Sequence, residues 1–441
     1  MKPWTLALGG GLVLALVQQQ ILLRQAPQLR TVVPAAASSG PGALELNFSR
    51  PMAVASLAAS SRISPAKAHQ WLGSGNRVRL LLQPGETVNG PLALTVKGRD
   101  LRAMALAPRL WHWDPRPRIV AVVNVAGGEQ VQLRDHDGRW RPLTPVWASI
   151  PTLQPLGDGS AVALVSADPR GRQRVWRVDL RQHNLTPGSQ SLSPATIGRP
   201  QELSHQPLLF AYLSSNRRGD LLVQASSVAS GQAESELWSR SGQKTALRVQ
   251  ASGPIQLVPQ GGSMVVPEVE GLSLVKLPGQ PPGRQMLPGS RDLSSFCPVG
   301  GRALLVHHRP DFTRSLEIVE PGQPPRSLWQ GPQALVATAC DRNGERIWAL
   351  TLEGLGIPKL KLLALDRQGQ VLRQKELSGW ELEPGTGLQL DPSLNQLLLT
   401  LRPLVSGGGR TQARPALVKA TSLELQLLDR PVRQAQWLVA G

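Results

Sequence analysis

An all-β chain is predicted, and three observations predict it. Short alternating strands of one type recur through the last three-quarters of the 441 residues, each running into a polar turn. Each is accompanied by a continuous apolar run at a roughly regular interval. Gly 43 and Pro 39, about one residue in five against roughly 12% in average usage, are spread along the whole length, as the turns of a loop-rich protein are. No interval holds a sustained stretch of helical periodicity, which disfavours a helix-containing solenoid.

The chain begins with an address. Met1-Lys-Pro precedes the uncharged apolar run Trp4–Val17, the charged flank and hydrophobic core of an export signal. Apolar character resumes at Ile21, so Trp4–Leu23 is long enough for a bilayer core of roughly 30 Å at about 1.5 Å per residue. Residues 1–23 are therefore expected to be an uncleaved signal anchor, with the body exported to the periplasm or another extracytoplasmic face. Cleavage near Pro34-Ala-Ala-Ala37 is the rival, and would leave the protein secreted. Residues 24–42, rich in Pro, Ala and Ser, read as a flexible tether.

The net charge of +18 rests on Arg far more than on Lys. Such a surplus favours anionic partners, lipid head groups or an acidic polymer among them. The alternative is a scatter of basic residues over solvated strand faces, since no run of four basic residues occurs. Nucleic acid is not expected, because the chain carries an export signal and lacks aromatic-basic interleaving.

Residues 43–107 read as a small sandwich. Leu44–Phe48, Arg77–Leu82 and Leu92–Val96 are strand-like, separated by turns at Ser49–Met52 and Pro84-Gly85. The order Phe48-Ser-Arg-Pro-Met52, Ser56-Leu57, Ile63-Ser-Pro65, Trp71, Asn76-Arg-Val, Leu80, Pro84-Gly85 and Gly98-Arg-Asp100 resembles the bacterial Ig-like domain of the surface-layer-protein type. That resemblance implies a cell-envelope module acting as a spacer or binding surface, with no catalytic residues to carry over. Arg99-Asp100-Leu-Arg replaces the usual ending of that family.

From about residue 111 to 441 one unit repeats. The alternating strands are Val131–Asp135, Arg174–Leu180, Glu236–Arg240, Leu272–Lys276, Leu316–Glu320, Leu362–Asp366 and Leu423–Leu427. The apolar runs start near residues 119, 161, 208, 264, 303, 347 and 397, close to the roughly 40–50-residue period of a four-stranded propeller blade. Seven sets predict a β-propeller, seven-bladed by preference, with the apolar runs as inner strands and the alternating ones as third strands. The turns Pro155-Leu-Gly-Asp-Gly159 and Cys340-Asp-Arg-Asn-Gly344, with Leu213-Ser-Ser-Asn-Arg-Arg-Gly219, are similar to the TolB-type repeat. The resemblance implies protein–protein contact in the periplasm, although propellers also host enzymes.

Chemistry is harder to find. Among the seven His, none makes an H-E-x-x-H, H-x-H or His-Cys pattern. His307-His308, with Asp311 close by, reads first as a strand-end pair whose rings point to opposite faces. Asp135-His-Asp-Gly138 has carboxylates spaced as in the start of a calcium loop but lacks the closing ligands, so it reads as a hairpin turn. No nucleophile elbow, phosphate loop or dinucleotide fingerprint is present, and Gly407-Gly-Gly-Arg410 reads as a loop. No catalytic residue, metal or cofactor is assigned. Cys297 and Cys340 occupy equivalent points of adjacent repeats and are expected to form a disulfide, which an exported compartment permits; buried free thiols are the alternative. Trp176, Trp238, Trp329 and Trp348 are expected between blades. Trp111, Trp113, Trp140 and Trp147 are expected together at the junction of sandwich and propeller, as a seal or a platform.

The expected function is non-catalytic: a membrane-tethered envelope protein binding or scaffolding a protein partner or an anionic ligand. A propeller hydrolase or lyase acting on an envelope polysaccharide or peptide is the alternative.

Overall fold

The computed structural model describes residues 25–35, 37, 40–188, 192–354, 358–404 and 412–440. The anchor expected at residues 1–23 and the loop at Gly407–Arg410 lie outside them. Among the described residues no helix is long and apolar enough to cross a membrane.

The first elements are β1 (Leu29–Ala35), β2 (Ala43–Phe48), the short helix α1 (Val54–Ser60), β3 (Arg62–Ser64), β4 (His69–Ser74), β5 (Arg77–Leu82), β6 (Leu92–Val96) and β7 (Arg109–Trp113). They build two sheets, β1-β2-β5-β4 and β7-β6-β3, and the distant strand Leu185–Pro187 adds to the second beside β7. Strand side chains alternate, so Leu44, Leu46 and Phe48 of β2 face inward. They meet Leu80, Leu94 and Trp113 in one core shared by both sheets. The helix contributes Leu57, which is fully buried. The tether expected over residues 24–42 is thus in part a strand: β1 pairs with β2 along its length and buries Val32. The two-layer unit also reaches past residue 107, because Trp113 can be buried only where β7 completes the second sheet.

The remaining strands form antiparallel meanders. β8 (Arg118–Val125), β9 (Gly128–Arg134) and β10 (Trp140–Pro142) make the first. β11 (Ser149–Pro155), β12 (Ala161–Ala167) and β13 (Gln173–Arg181) make the second. From there β14 (Leu185–Pro187) departs to the sandwich, and the two-residue strands β15 (Thr196–Ile197) and β16 (Gln201–Glu202) return to pair with β13. The third is β17 (Leu208–Ser215), β18 (Leu221–Ser227), β19 (Ala233–Trp238) and β20 (Lys244–Leu247). Next come β21 (Gln256–Leu257), β22 (Ser263–Glu268), β23 (Gly271–Lys276) and β24 (Arg284–Pro288). They are followed by β25 (Arg291–Phe296), β26 (Ala303–His308), β27 (Arg314–Val319) and β28 (Arg326–Gly331). Then come β29 (Ala334–Cys340), β30 (Arg346–Glu353), β31 (Lys359–Asp366) and β32 (Val371–Glu376). The last meander is β33 (Trp380–Leu382), β34 (Gln389–Asp391), β35 (Gln396–Pro403), β36 (Arg414–Lys419) and β37 (Leu425–Leu427). The final strand, β38 (Gln434–Leu438), returns to pair with β8, Trp437 opposite Ile119.

First strands touch in succession. β11 meets β17, β17 meets β21, β25 meets β29, β29 meets β34, and both β34 and β11 meet β38. β25 reaches the meander before it through β23. This cycle, closed by a strand from the opposite end of the chain, is β-propeller topology, with the first strands around the axis.

The apolar runs expected as inner strands turn out to be second strands. Ala161–Ser166 of β12 is buried throughout because it is paired on both edges and covered on both faces. The first strand inside it has one edge on the axis, and its burial alternates. Pro207–Leu213 is the exception, lying in the first strand β17, whose second strand is Leu221–Ser227. In the last meander the third strand is β36, so Leu423–Leu427 falls on a turn and the outermost strand. The disrupted alternation around Pro415 hid β36 from the pattern.

Packing between meanders uses tryptophan. Trp147 stacks on Trp176 with ring centroids 5.1 Å apart, and Trp176 Nε1 donates to Ser166 Oγ. Trp348 is buried and donates from Nε1 to the Ala420 carbonyl of the next meander. The four tryptophans expected together do not gather: Trp111 and Trp113 lie in the sandwich, Trp140 packs near Arg430, and Trp147 lies beside Trp176. Close approach also demands Gly128. Its φ is +148°, and a Cβ there would stand 2.0 Å from the Trp147 carbonyl oxygen, where Glu129 N–H bonds Trp147.

Candidate functional site

Strand direction sorts the side chains around the axis into two ends. First strands run toward one end, and the turns joining them to the second strands gather there. Arg217 N–H donates to the Pro259 carbonyl, and Val299 N–H to the Arg342 carbonyl. Gly157 has room only for hydrogen, because a Cβ would lie 2.4 Å from the Asn216 carbonyl oxygen. Cys297, just after β25, and Cys340, ending β29, join two of these turns: the structure brings them together as a disulfide with Cα atoms 5.3 Å apart.

At this end stand three charged groups that sequence reasoning missed as a set. Arg217 is half-buried and reaches from its turn to the Pro298 carbonyl, 3.3 Å away. Arg342 is also half-buried and donates from Nη1 to the Ala37 carbonyl at 2.7 Å. Its Nε is buried and has no hydrogen-bond partner among the described residues. Burial lowers the pKa of Arg217, and that of Arg342 is pushed down to about 10 by burial and by the nearby Arg217 charge, against the pull of Asp391. Asp391 is buried, which pushes its carboxyl up to about 6, although Ser393 donates to it from both Oγ (2.7 Å) and N–H (2.8 Å). A signal was present in the sequence. Arg217 and Arg342 hold equivalent positions in two of the repeat turns, Asn216-Arg-Arg-Gly219 and Asp341-Arg-Asn-Gly344.

The sandwich covers this end. Besides the Ala37 contact, Val88 N–H donates to the Ser393 carbonyl at 2.8 Å. A buried polar junction ties it to the first two meanders. Asp114 accepts from Arg116 at 2.6 Å and lies 2.9 Å from His136 Nδ1; these partners hold its carboxyl far below the usual range despite burial. Arg118, 3% exposed, donates to Asp135 (2.8 Å), Gln182 Oε1 (2.9 Å) and Asn184 Oδ1 (2.5 Å). The Asp135-His-Asp-Gly138 stretch is a turn closed by Gly138 N–H on the Asp135 carbonyl, with the Asp135 carboxylate committed to Arg118.

The opposite end is where first strands begin and second strands finish. His307 and His308 end the second strand β26, one place further from the axis than expected, and point to opposite faces. His307 Nδ1 lies 2.8 Å from Glu317, which also accepts from Arg291. His308 Nε2 lies 2.7 Å from Asp292. Asp311 does not join them, since its carboxylate accepts from Thr313. The His308–Asp292 pair borders a cavity of about 480 Å³ reaching Gln256 and Gln389 on first strands of other meanders. Inside it, Ser295 and Thr338 hydroxyls lie 2.7 Å apart and Thr338 donates to Ser294 at 2.8 Å. Among the described residues no group of three His, Cys, Asp or Glu lies close enough to hold a metal ion.

No protein-family model matches the chain, and no curated protein matches it. Solved structures do. The TolB of Acinetobacter baumannii is similar over 72% of this chain and 79% of its own, at 14% identity and a TM-score of 0.40. An oligogalacturonate lyase in complex with manganese matches over 89% of this chain and 96% of its own, at 12% identity and a TM-score of 0.46. A prolyl endopeptidase matches at 14% identity and a TM-score of 0.51, covering 73% of this chain and about half (49%) of its own length. At such identities the likeness is one of fold alone; the β-propeller itself rests on the ring of meanders closed by β38 on β8.

Proposed function

We propose that this is a non-catalytic binding or scaffold protein of the cell envelope. In this reading residues 1–23 tether it to a membrane, an Ig-like sandwich acts as the spacer, and a propeller of seven blades, one per meander, carries the recognition surface. One observation carries the reading: the sandwich packs at one end of the propeller axis, through Arg342 to Ala37 and Val88 to Ser393, while among the described residues the sandwich makes no such contact at the other end. That mouth presents Asp292, His308 and a cavity of about 480 Å³ with mixed polar and apolar lining, a surface suited to a protein partner. The net charge of +18 adds long-range attraction for acidic proteins, anionic polymers or lipid head groups.

The test is co-purification from detergent-solubilised envelopes after cross-linking, comparing the wild type with Asp292→Arg and His308→Glu. A partner retained by the wild type and lost by either folded variant is expected. Retention by both variants would remove the mouth from the interface. The His308–Asp292 pair beside serine and threonine hydroxyls favours a second reading, a hydrolase or lyase acting on an envelope polysaccharide or peptide. Turnover of such a polymer by the wild type, abolished in His308→Ala, would replace the first reading with the second.

A further inference from the structure

Among the described residues, the covered end of the axis carries charge that the fold compensates only in part, through Asp391. Arg217 and Arg342 come from meanders well separated in the ring, yet each guanidinium lies within Coulombic reach of the other. Neither has a carboxylate within 4.0 Å among the described residues, whereas the buried Arg118 and the half-buried Arg302 each do. Asp391 is near enough to influence Arg342, but its oxygens are taken by Ser393 and the Leu394 N–H. The acceptors they bond among the described residues are neutral: the Pro298 and Ala37 carbonyls.

Leaving a cationic group this way has a cost. Like charges repel, and a buried N–H without an acceptor forfeits its hydration. Among the described residues Arg342 Nε is such a group. Native structures rarely keep one without a bound water or ion to satisfy it. Both side chains are only partly buried, so a small solute can reach them. The guanidinium fork matches a planar carboxylate or a phosphate, and two guanidiniums from different turns offer such a group two sets of donors.

We propose that Arg217 and Arg342 form a site for a small oxyanion, or for the carboxylate or phosphate group of a larger ligand, where the sandwich meets the propeller. The ligand would neutralise the pair, accept from the exposed part of the two guanidiniums and tighten the seat of the Ala37 segment on the turns. The site lies at the opposite end from the mouth assigned to a protein partner, so the two proposals stand or fall separately.

The experiment is calorimetric titration of the full chain in detergent with inorganic phosphate, sulfate, acetate or citrate, at constant ionic strength in chloride. Thermal unfolding is read in parallel, since a ligand bound only to the native state raises the midpoint. Saturable binding tighter than about 1 mM is expected for at least one anion. The phosphate and carboxylate arms identify which group the site takes. Arg217→Gln and Arg342→Gln should each weaken binding by about tenfold or more, as loss of a charge-assisted hydrogen bond does. Arg139→Gln, on an exposed turn, should not change it. If Arg342→Gln disturbs folding through Ala37, Arg217→Gln, which gives up only one backbone contact, carries the test. Equal titrations for wild type and Arg217→Gln, or no saturable response of the wild type to any of the four anions, would overturn the proposal.

Discussion

Breaking the bond between Cys297 and Cys340 should be the largest single covalent loss of stability in this chain. The bridge spans 43 residues, a whole meander from the turn after β25 to the end of β29. In the chain-entropy account, releasing a loop of that length frees the denatured ensemble by about 4 kcal/mol. The native cost is small in comparison, because β25 and β29 already touch and both cysteines are nearly fully buried. Residual structure in the denatured chain lowers the figure, so a loss of about 2–4 kcal/mol is expected. Urea unfolding of the oxidised protein, of the protein held in a phosphine reductant, and of the Cys297→Ala/Cys340→Ala variant would measure it through tryptophan fluorescence. Trp348, in the strand beside β29, reports on the region concerned. Thiol titration in denaturant must show no free thiol in the first sample and two in the second. Coincident unfolding curves for all three would refute the reasoning. So would free thiols in protein isolated from an oxidising compartment.

Other outcomes follow from the same physics. Gly128→Ala places a methyl 2.0 Å from the Trp147 carbonyl at φ +148°, so a loss of about 2 kcal/mol or more is expected in denaturant melts; a loss below half of that would deny the close approach. Asp135→Ala strands Arg118, 3% exposed, without its carboxylate and should cost about 3 kcal/mol, with Arg118→Met/Asp135→Leu recovering much of it; no recovery would show that the charge was not the cause. Asp391 is an acid whose folded pKa is raised by burial from 3.8 to about 6, so the native state holds the proton more tightly than the unfolded chain does. Its contribution is therefore most favourable below about pH 4 and is lost as pH rises through 6, by about 3 kcal/mol in all. Asp391→Asn should flatten the stability profile between those two pH values, and an unchanged slope there would place the proton elsewhere.

Local chemistry written in the sequence settled the fold class. Alternation of period two, Gly and Pro at every turn and apolar runs at a blade-like spacing depend only on neighbours along the chain. They were enough to find the meanders and to place Arg174–Leu180 as a third strand, within β13 (Gln173–Arg181). The cysteines were legible as a pair for a related reason, since equivalent positions in successive repeats stack side by side. Long-range pairing was beyond such a reading. Nothing near Leu29 announces that the tether becomes a strand, because β1 exists only through its partner β2. Nothing near Leu185 shows that a propeller connection will finish a sheet more than seventy residues behind it. The apolar runs mark second strands and not the innermost ones, because burial is greatest where a strand is paired on both edges and covered on both faces. The arginines at the covered end were visible only as turn residues. Whether a guanidinium finds a carboxylate or another guanidinium is decided by which turns the closed ring sets face to face, and only the tertiary structure decides that.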